Sequence, residues 1–201
     1  MRIAIIGWGS LLWDLENLEP RVTGDWSYGG GPRLPLEFSR VSPKRKLGLV
    51  VIIDPTHGAP CPTSYIKSVR SDLSAAVSDL AARERAPIER IGHAQLGTGH
   101  INSSNPPLNE TLTAWLAATG YDACVWTDLP ANFTEHSSHE FTIEAGIAYL
   151  KTLPPASLDE AKRYIENAPG ETITPLRSAL ATNAWWQSLP LTHEDETSDA
   201  S

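Results

Sequence analysis

The isoleucine-rich run from Arg2 to Ile6 ends directly on Gly7-Trp8-Gly9-Ser10-Leu11-Leu12-Trp13, and no other junction constrains the fold as much. The run is too short for an ordinary helix and reads as a buried strand over Arg2–Gly7. Two glycines then let the backbone turn sharply and leave its N–H groups open to a ligand. Loops at strand ends are common small-molecule sites, so Gly7, Trp8, Gly9, Ser10 and Leu11 are candidate ligand contacts. A dinucleotide fingerprint would need a third glycine that is missing here. Ser10 is not in a nucleophile elbow, because Leu12 stands where the second glycine is required. A tight turn with no ligand is the remaining alternative.

A chain of 201 residues can bury one sizeable core. No apolar run approaches membrane-spanning length, and Ile3–Ile6 is too short for a signal-peptide core. Two cysteines, Cys61 and Cys124, do not make a disulfide framework. They suggest a reducing compartment, hence a cytoplasmic protein, and both read as small buried hydrophobes. A net charge of −8 argues against a nucleic-acid partner. No membrane partner is expected, and the oligomeric state is left open.

Strands are expected at Arg2–Gly7, Leu36–Val41, Leu47–Asp54, Thr63–Val69 and Ala123–Thr127. The continuous apolar run Leu47–Ile53 suits a central strand buried on both faces, and glycines and prolines make Tyr28–Pro35 a loop. Helices are expected over Leu108–Thr119, closed by Gly120, and over Phe141–Leu153. Another begins at a capping box formed by Ser157 and Glu160 and ends at Pro169-Gly170. A last one runs from Pro175 to about Ser188. The acidic segment Thr192–Ser201 reads as a disordered tail. Strands first and helices later favour an α+β fold over a doubly wound sheet.

Ser71–Ala86 reads as a helix capped by Ser71 and stopped by Pro87. At helical spacing Leu73, Val77 and Leu80 share one face, and one further turn brings Glu84 onto it. Arg83, Arg85, Asp72 and Asp79 fall well away from that face. A carboxylate at a core position has to be paired, neutralised or open to a cavity. Burial and the negative end of the helix dipole both raise a carboxyl pKa, which suits a general base near neutrality. A buried Glu84–Arg pair or a frayed helix end is the structural alternative.

The Gly7–Leu11 loop resembles the glycine-serine-leucine signature of the gamma-glutamylcyclotransferase family. Leu80-Ala81-Ala82-Arg83-Glu84 is similar to the Arg-Glu helix end of that family, above all of its glutathione-specific branch, and Glu84 matches the catalytic glutamate. Phe38-Ser39-Arg40 followed by Leu49-Val50-Val51 resembles the family's Ser-Arg segment and the strand after it, and Ser64-Tyr65-Ile66 corresponds more loosely to the next strand. Trp8 departs from the usual tyrosine, and the second half of the chain matches no family motif. The resemblance implies an α+β fold with a small mixed β-barrel and surrounding helices over residues 1–191. It also implies cofactor-free, metal-free conversion of a small γ-glutamyl amine or peptide to 5-oxoproline and free amine. In that reading Glu84 is the general acid/base, and backbone N–H groups of Gly9, Ser10 and Leu11 hold the glutamyl carboxylate or the oxyanion. Arg40 adds positive charge. A non-catalytic binding protein of the same fold, or a γ-glutamyl amide hydrolase using Glu84 to activate water, are the competing readings.

Other segments offer less. His136 and His139, flanked by Glu135 and Glu140, have metal-ligand types but no second ligand pair. His57 and Cys61 are one short pair and cannot complete a zinc site. Of the seven tryptophans, Trp8 and Trp13 flank the loop as candidate cavity walls. Trp185-Trp186 reads as a partner anchor or, better, as one core residue on an amphipathic helix.

Overall fold

Every residue of the first strand is buried, and its two faces feed two different cores. In the computed structural model, which describes residues 1–190, β1 (Ile3–Gly7) sends Ala4 and Ile6 into one apolar cluster and Ile3 and Ile5 into the other. That alternation is the period of a pleated strand, and it explains why β1 shows no polar residue. The chain continues through β2 (Val22–Ser27), β3 (Arg33–Ser42), β4 (Gly48–Ile53), β5 (Ala59–Pro62) and β6 (Ser64–Ser68) to α1 (Leu73–Glu84). β7 (Ile91–Gln95), β8 (His100–Asn102), α2 (Asn109–Thr119) and β9 (Ala123–Thr127) follow. The remaining elements are helical: α3 (Phe133–Ser137), α4 (Ile143–Thr152), α5 (Pro155–Glu166), α6 (Pro175–Ala181) and α7 (Ala184–Ser188).

The α+β class expected from the sequence is present, but the barrel is not closed. The described residues form a six-stranded sheet in the order β2-β6-β1-β9-β7-β8 and a separate three-stranded sheet, β4-β3-β5. β1 pairs antiparallel with β6 and parallel with β9. β2 and β8 end the larger sheet on opposite sides, and β3 pairs only with β4 and β5. The apolar run Leu47–Ile53 is therefore an edge strand, β4, and not a central one. From Gly48 to Ile53 it is buried throughout, because α5 packs on it and the loop after β1 lies against it, whereas Leu47 precedes the strand and is exposed. Trp8 Nε1 donates to the Val51 carbonyl at 3.2 Å, so a side chain serves part of that edge.

Several boundaries move for local reasons. Arg33–Pro35 belongs to β3, not to the loop, and pairs with β5 on the sheet's edge side. Asp72, not Ser71, caps α1 by accepting from Ala75 N at 2.9 Å. Proline is favoured in a first helical turn, so α5 starts at Pro155 and Ser157 lies inside it, which removes the capping box. Asn183 caps a fresh helix, so the segment from Pro175 to Ser188 is two helices. Trp186 on the second of them is fully buried, with Nε1 donating to Glu166 at 2.8 Å. Cys61 and Cys124 are both buried free thiols. The acidic segment Thr192–Ser201 lies outside the described residues. No described helix is long and apolar enough to cross a membrane.

Two buried carboxylates fix the small sheet, Glu37 by tying it to α6 and Asp54 by holding β3 to the turn after β4. Glu37 on β3 accepts from Phe38 N at 2.7 Å and from Leu176 N at 3.0 Å, docking the first turn of α6. Burial pushes its carboxyl up. Burial also pushes Asp54 up, but hydrogen bonds from Ser39 and from the backbone and ring of His57 outweigh it, holding that carboxyl below its ordinary value. A depressed folded-state value contributes stability above the unfolded value, and that stability is lost as pH falls through the folded one. Asp54→Asn is expected to lower the urea midpoint near neutral pH, with the gap to the native protein closing once the pH falls below the unfolded value of 3.8. A gap unchanged down to acid pH contradicts this. At Gly92 an added Cβ would overlap the buried Trp126 indole. Gly92→Ala is therefore expected to cost about 1–3 kcal/mol in denaturant unfolding.

Candidate active site

β1 and β9 run parallel, so Gly7 and the end of β9 leave the sheet side by side. Beyond them a cavity of about 330 Å³ opens between the loop after β1, the edge of β4, the turn Pro43–Arg45 and the C-terminus of α1. Gly7, Trp8, Ser10, Leu11, Arg40 and Glu84 all line it. Residues separated by most of the first half of the sequence thus share one wall.

Gly9 sits behind that wall and does not line the cavity. It takes φ +56°, where a side chain is strained, and an added Cβ would lie 2.5 Å from Tyr164 Oη and 2.8 Å from Val51 Cγ1. The glycine lets α5 deliver Tyr164 against the loop. The Tyr164 hydroxyl faces the backbone of Ser10 and Val51, which opposes the rise of its pKa. Burial pushes the phenol up, Arg45 opposes this and Glu84 adds to it, with the net shift upward, so the hydroxyl keeps its proton. Sequence reasoning missed Tyr164. The available signal was a lone tyrosine between Ala161 and Ala168 on a helix, spaced so that the small residues share its face. Trp8 lines the cavity as expected. Trp13 does not; it is 41% exposed and packs edge-on against Tyr164.

Glu84 is the last residue of α1. Arg85 adopts the left-handed conformation, and the N–H groups of Arg85 and Ala86 return to the carbonyls of Ala82 and Ala81. This stop leaves the Glu84 carboxylate at the cavity with its side chain 15% exposed. Arg83 does not point away as helical spacing suggests: it is 2% exposed. Its guanidinium donates to Glu84 Oε1 at 2.7 Å and to the Asp14 carbonyl at 2.6 Å, and comes within 3.5 Å of Ser10 Oγ. The sequence alternatives for Glu84, an arginine pair or an open cavity, are therefore both realised. A long arginine can leave its own helix face because its stem is flexible.

The other charged side chains of the lining are cationic. Lys44 and Arg85 both pair with Glu16, and the hydrogen bond from Lys44 holds the Glu16 carboxyl below its ordinary range despite partial burial. Arg45 pairs with Glu160 at 3.2 Å and lies over the Tyr164 ring, 5.5 Å from its centroid. Arg40 is half-buried, is hydrogen-bonded to the Pro130 carbonyl, and has no carboxylate in ion-pair contact among the described residues. Burial lowers its pKa, and Glu135 works against that through space.

Other sequence candidates lie elsewhere. His57 is held by Asp54 and packs on Phe141, while Cys61 is buried in β5. His136 lies in the last turn of α3 and His139 is exposed beyond it. Among the described residues no group of three histidine, cysteine or acidic side chains is placed to hold a metal ion. Comparison with protein-family models, curated proteins and solved structures finds no match.

Gly9→Ala is expected to destabilise the protein by about 1–3 kcal/mol, from strain at positive φ and overlap with Tyr164. Adding Tyr164→Phe should return part of that loss, because the overlapping oxygen is gone while the strain stays. Thermal unfolding of the two single variants and the double variant checks this, and strictly additive effects would contradict the contact.

Proposed function

We propose that this cavity closes γ-glutamyl substrates to 5-oxoproline, with Glu84 as the acid/base, in the manner of the gamma-glutamylcyclotransferase-like proteins that the loop and helix end resemble. The observation that carries the reading is the meeting of Glu84 with Gly7, Trp8, Ser10 and Leu11 in one cavity. The chemistry of the lining also favours it. Among the described residues no histidine and no cysteine lines the cavity, and Ser10 Oγ has an arginine beside it in place of a base. A protein nucleophile is unsupported there, whereas cyclotransfer takes its nucleophile from the substrate.

The α-amine of the substrate attacks its own γ-carbonyl carbon. One C–N bond forms to close the five-membered lactam, and the C–N bond to the leaving amine breaks. The attacking nitrogen passes from an ammonium to a lactam N–H and gives up two protons; Glu84 takes each in turn and delivers it to the leaving nitrogen, which departs as an ammonium, so protons balance and no water is consumed. Holding the chain folded is the main task, and intramolecular positioning of this kind is worth about 7–11 kcal/mol. Backbone N–H groups at the loop and the protonated Tyr164 hydroxyl are the donors available to the oxyanion. Arg83 holds the Glu84 carboxylate in place and compensates its charge before the substrate arrives.

The test is 5-oxoproline release from γ-glutamyl dipeptides, γ-glutamyl amines and glutathione, followed by mass spectrometry. Glu84→Gln is expected to slow release by about 10²–10⁴-fold in the folded protein, and to lower the unfolding temperature because Arg83 keeps its charge and loses that of its partner. Near-native turnover by a folded Glu84→Gln protein would rule out the assignment, and free glutamate as the product would point to hydrolysis.

A further inference from the structure

Two histidines stand side by side at the edge of the large sheet, outside the lining of the cavity. β7 and β8 pair antiparallel, with His93 opposite Asn102 and Gln95 opposite His100. Side chains two apart on a strand share a face, so His93, Gln95, His100 and Asn102 form one polar patch. The pair between them, Ala94 and Ile101, turns to the other side and packs with the larger apolar cluster. β8 is the last strand of its sheet, so the patch lies at an open edge.

The rings of His93 and His100 have their centres 5.4 Å apart and are tilted by 38°. Two imidazoles on one tetrahedral zinc ion, each bound at about 2.0–2.1 Å, have ring centres about 5 Å apart. The pair is therefore already close to the separation that a shared ion requires. His93 Nδ1 is buried and has no hydrogen-bond partner among the described residues. A buried ring nitrogen in that state is costly unless something meets it. His100 is exposed, which opens the pair to solvent on one side. Burial holds the His93 imidazole below its ordinary pKa; the backbone of Ile91 opposes this and His100 adds to it. The ring is then neutral near pH 7 and keeps the lone pair that a metal ligand needs.

We infer that His93 and His100 bind one divalent ion of the zinc, copper and nickel class across the β7–β8 hairpin. Imidazole suits these ions, whereas magnesium and calcium call for oxygen ligands. Among the described residues no third histidine, cysteine or carboxylate joins the pair. Water completes the shell, with the Gln95 and Asn102 amides beside it on the same face. The effect of the ion is mechanical. The chain leaving β8 runs into Ser104 and Asn105, both held by Asp128, whose neighbours Thr127 and Leu129 line the cavity. An ion joining the two strands clamps the sheet edge next to that wall. It takes no part in ring closure, because neither histidine lines the cavity.

Zinc chloride titrated into untagged protein at neutral pH, followed by calorimetry and by thermal unfolding, tests this. One equivalent is expected to bind with micromolar affinity and to raise the unfolding temperature. His100→Ala, at an exposed position, is expected to weaken binding about 100-fold, the share of one ligand, and to abolish the rise. The double variant His136→Gln/His139→Gln should bind as the native protein does, and magnesium should not compete. No zinc binding by the native protein, full binding by a folded His100→Ala protein, or loss of binding in the double variant overturns the inference. If His100→Ala does not fold, electron paramagnetic resonance of copper(II) bound to the double variant decides. Two coordinated imidazole nitrogens support the pair, and one or none counts against it.

Discussion

One buried guanidinium holds the site together. Arg83 joins the end of α1 to the loop after β1 by bonding to Glu84, to the Asp14 carbonyl and, more distantly, to Ser10. Removing one partner of a buried ion pair typically costs about 3–5 kcal/mol, because the survivor is left as an uncompensated charge. The same contact fixes where the Glu84 carboxylate stands relative to the loop. Stability and geometry are therefore set by the same atoms, and the carboxylate reaches the cavity already oriented.

Charge is distributed with a purpose that net composition hides. The chain as a whole is acidic at −8, yet among the described residues the charged side chains lining the cavity are Arg40, Lys44, Arg45, Arg83, Arg85 and Glu84. Carboxylates set just behind the wall hold most of those cations in position. Such an arrangement attracts small anionic ligands locally while the rest of the surface repels polyanions.

Much of this was legible in the chain because it is local. The strand before Gly7, the Gly7–Leu11 turn, the β9 segment Ala123–Thr127 and the misplaced carboxylate at Glu84 are all patterns of a few residues. What escaped depends on distant partners. Arg83 bonds to a carbonyl 69 positions away, and nothing in the helix pattern announces it. Tyr164 reaches Gly9 only because α5 packs on the edge of β4. β5 carries two prolines and reads as a turn, yet it survives as an edge strand where proline is tolerated. β7 and β8 are short and broken by Gly92 and histidines, so they give no clear alternation. The barrel failed as an expectation because β3 leaves the main sheet and forms its own with β4 and β5.

The central claim is that the reacting nucleophile belongs to the substrate. Turnover of γ-glutamylglycine in heavy-oxygen water, with the products weighed by mass spectrometry, tests it directly. Intramolecular closure predicts 5-oxoproline with no heavy oxygen incorporated during turnover. Glutamate carrying one heavy oxygen in its γ-carboxylate would mean that water attacks instead, and would contradict the account.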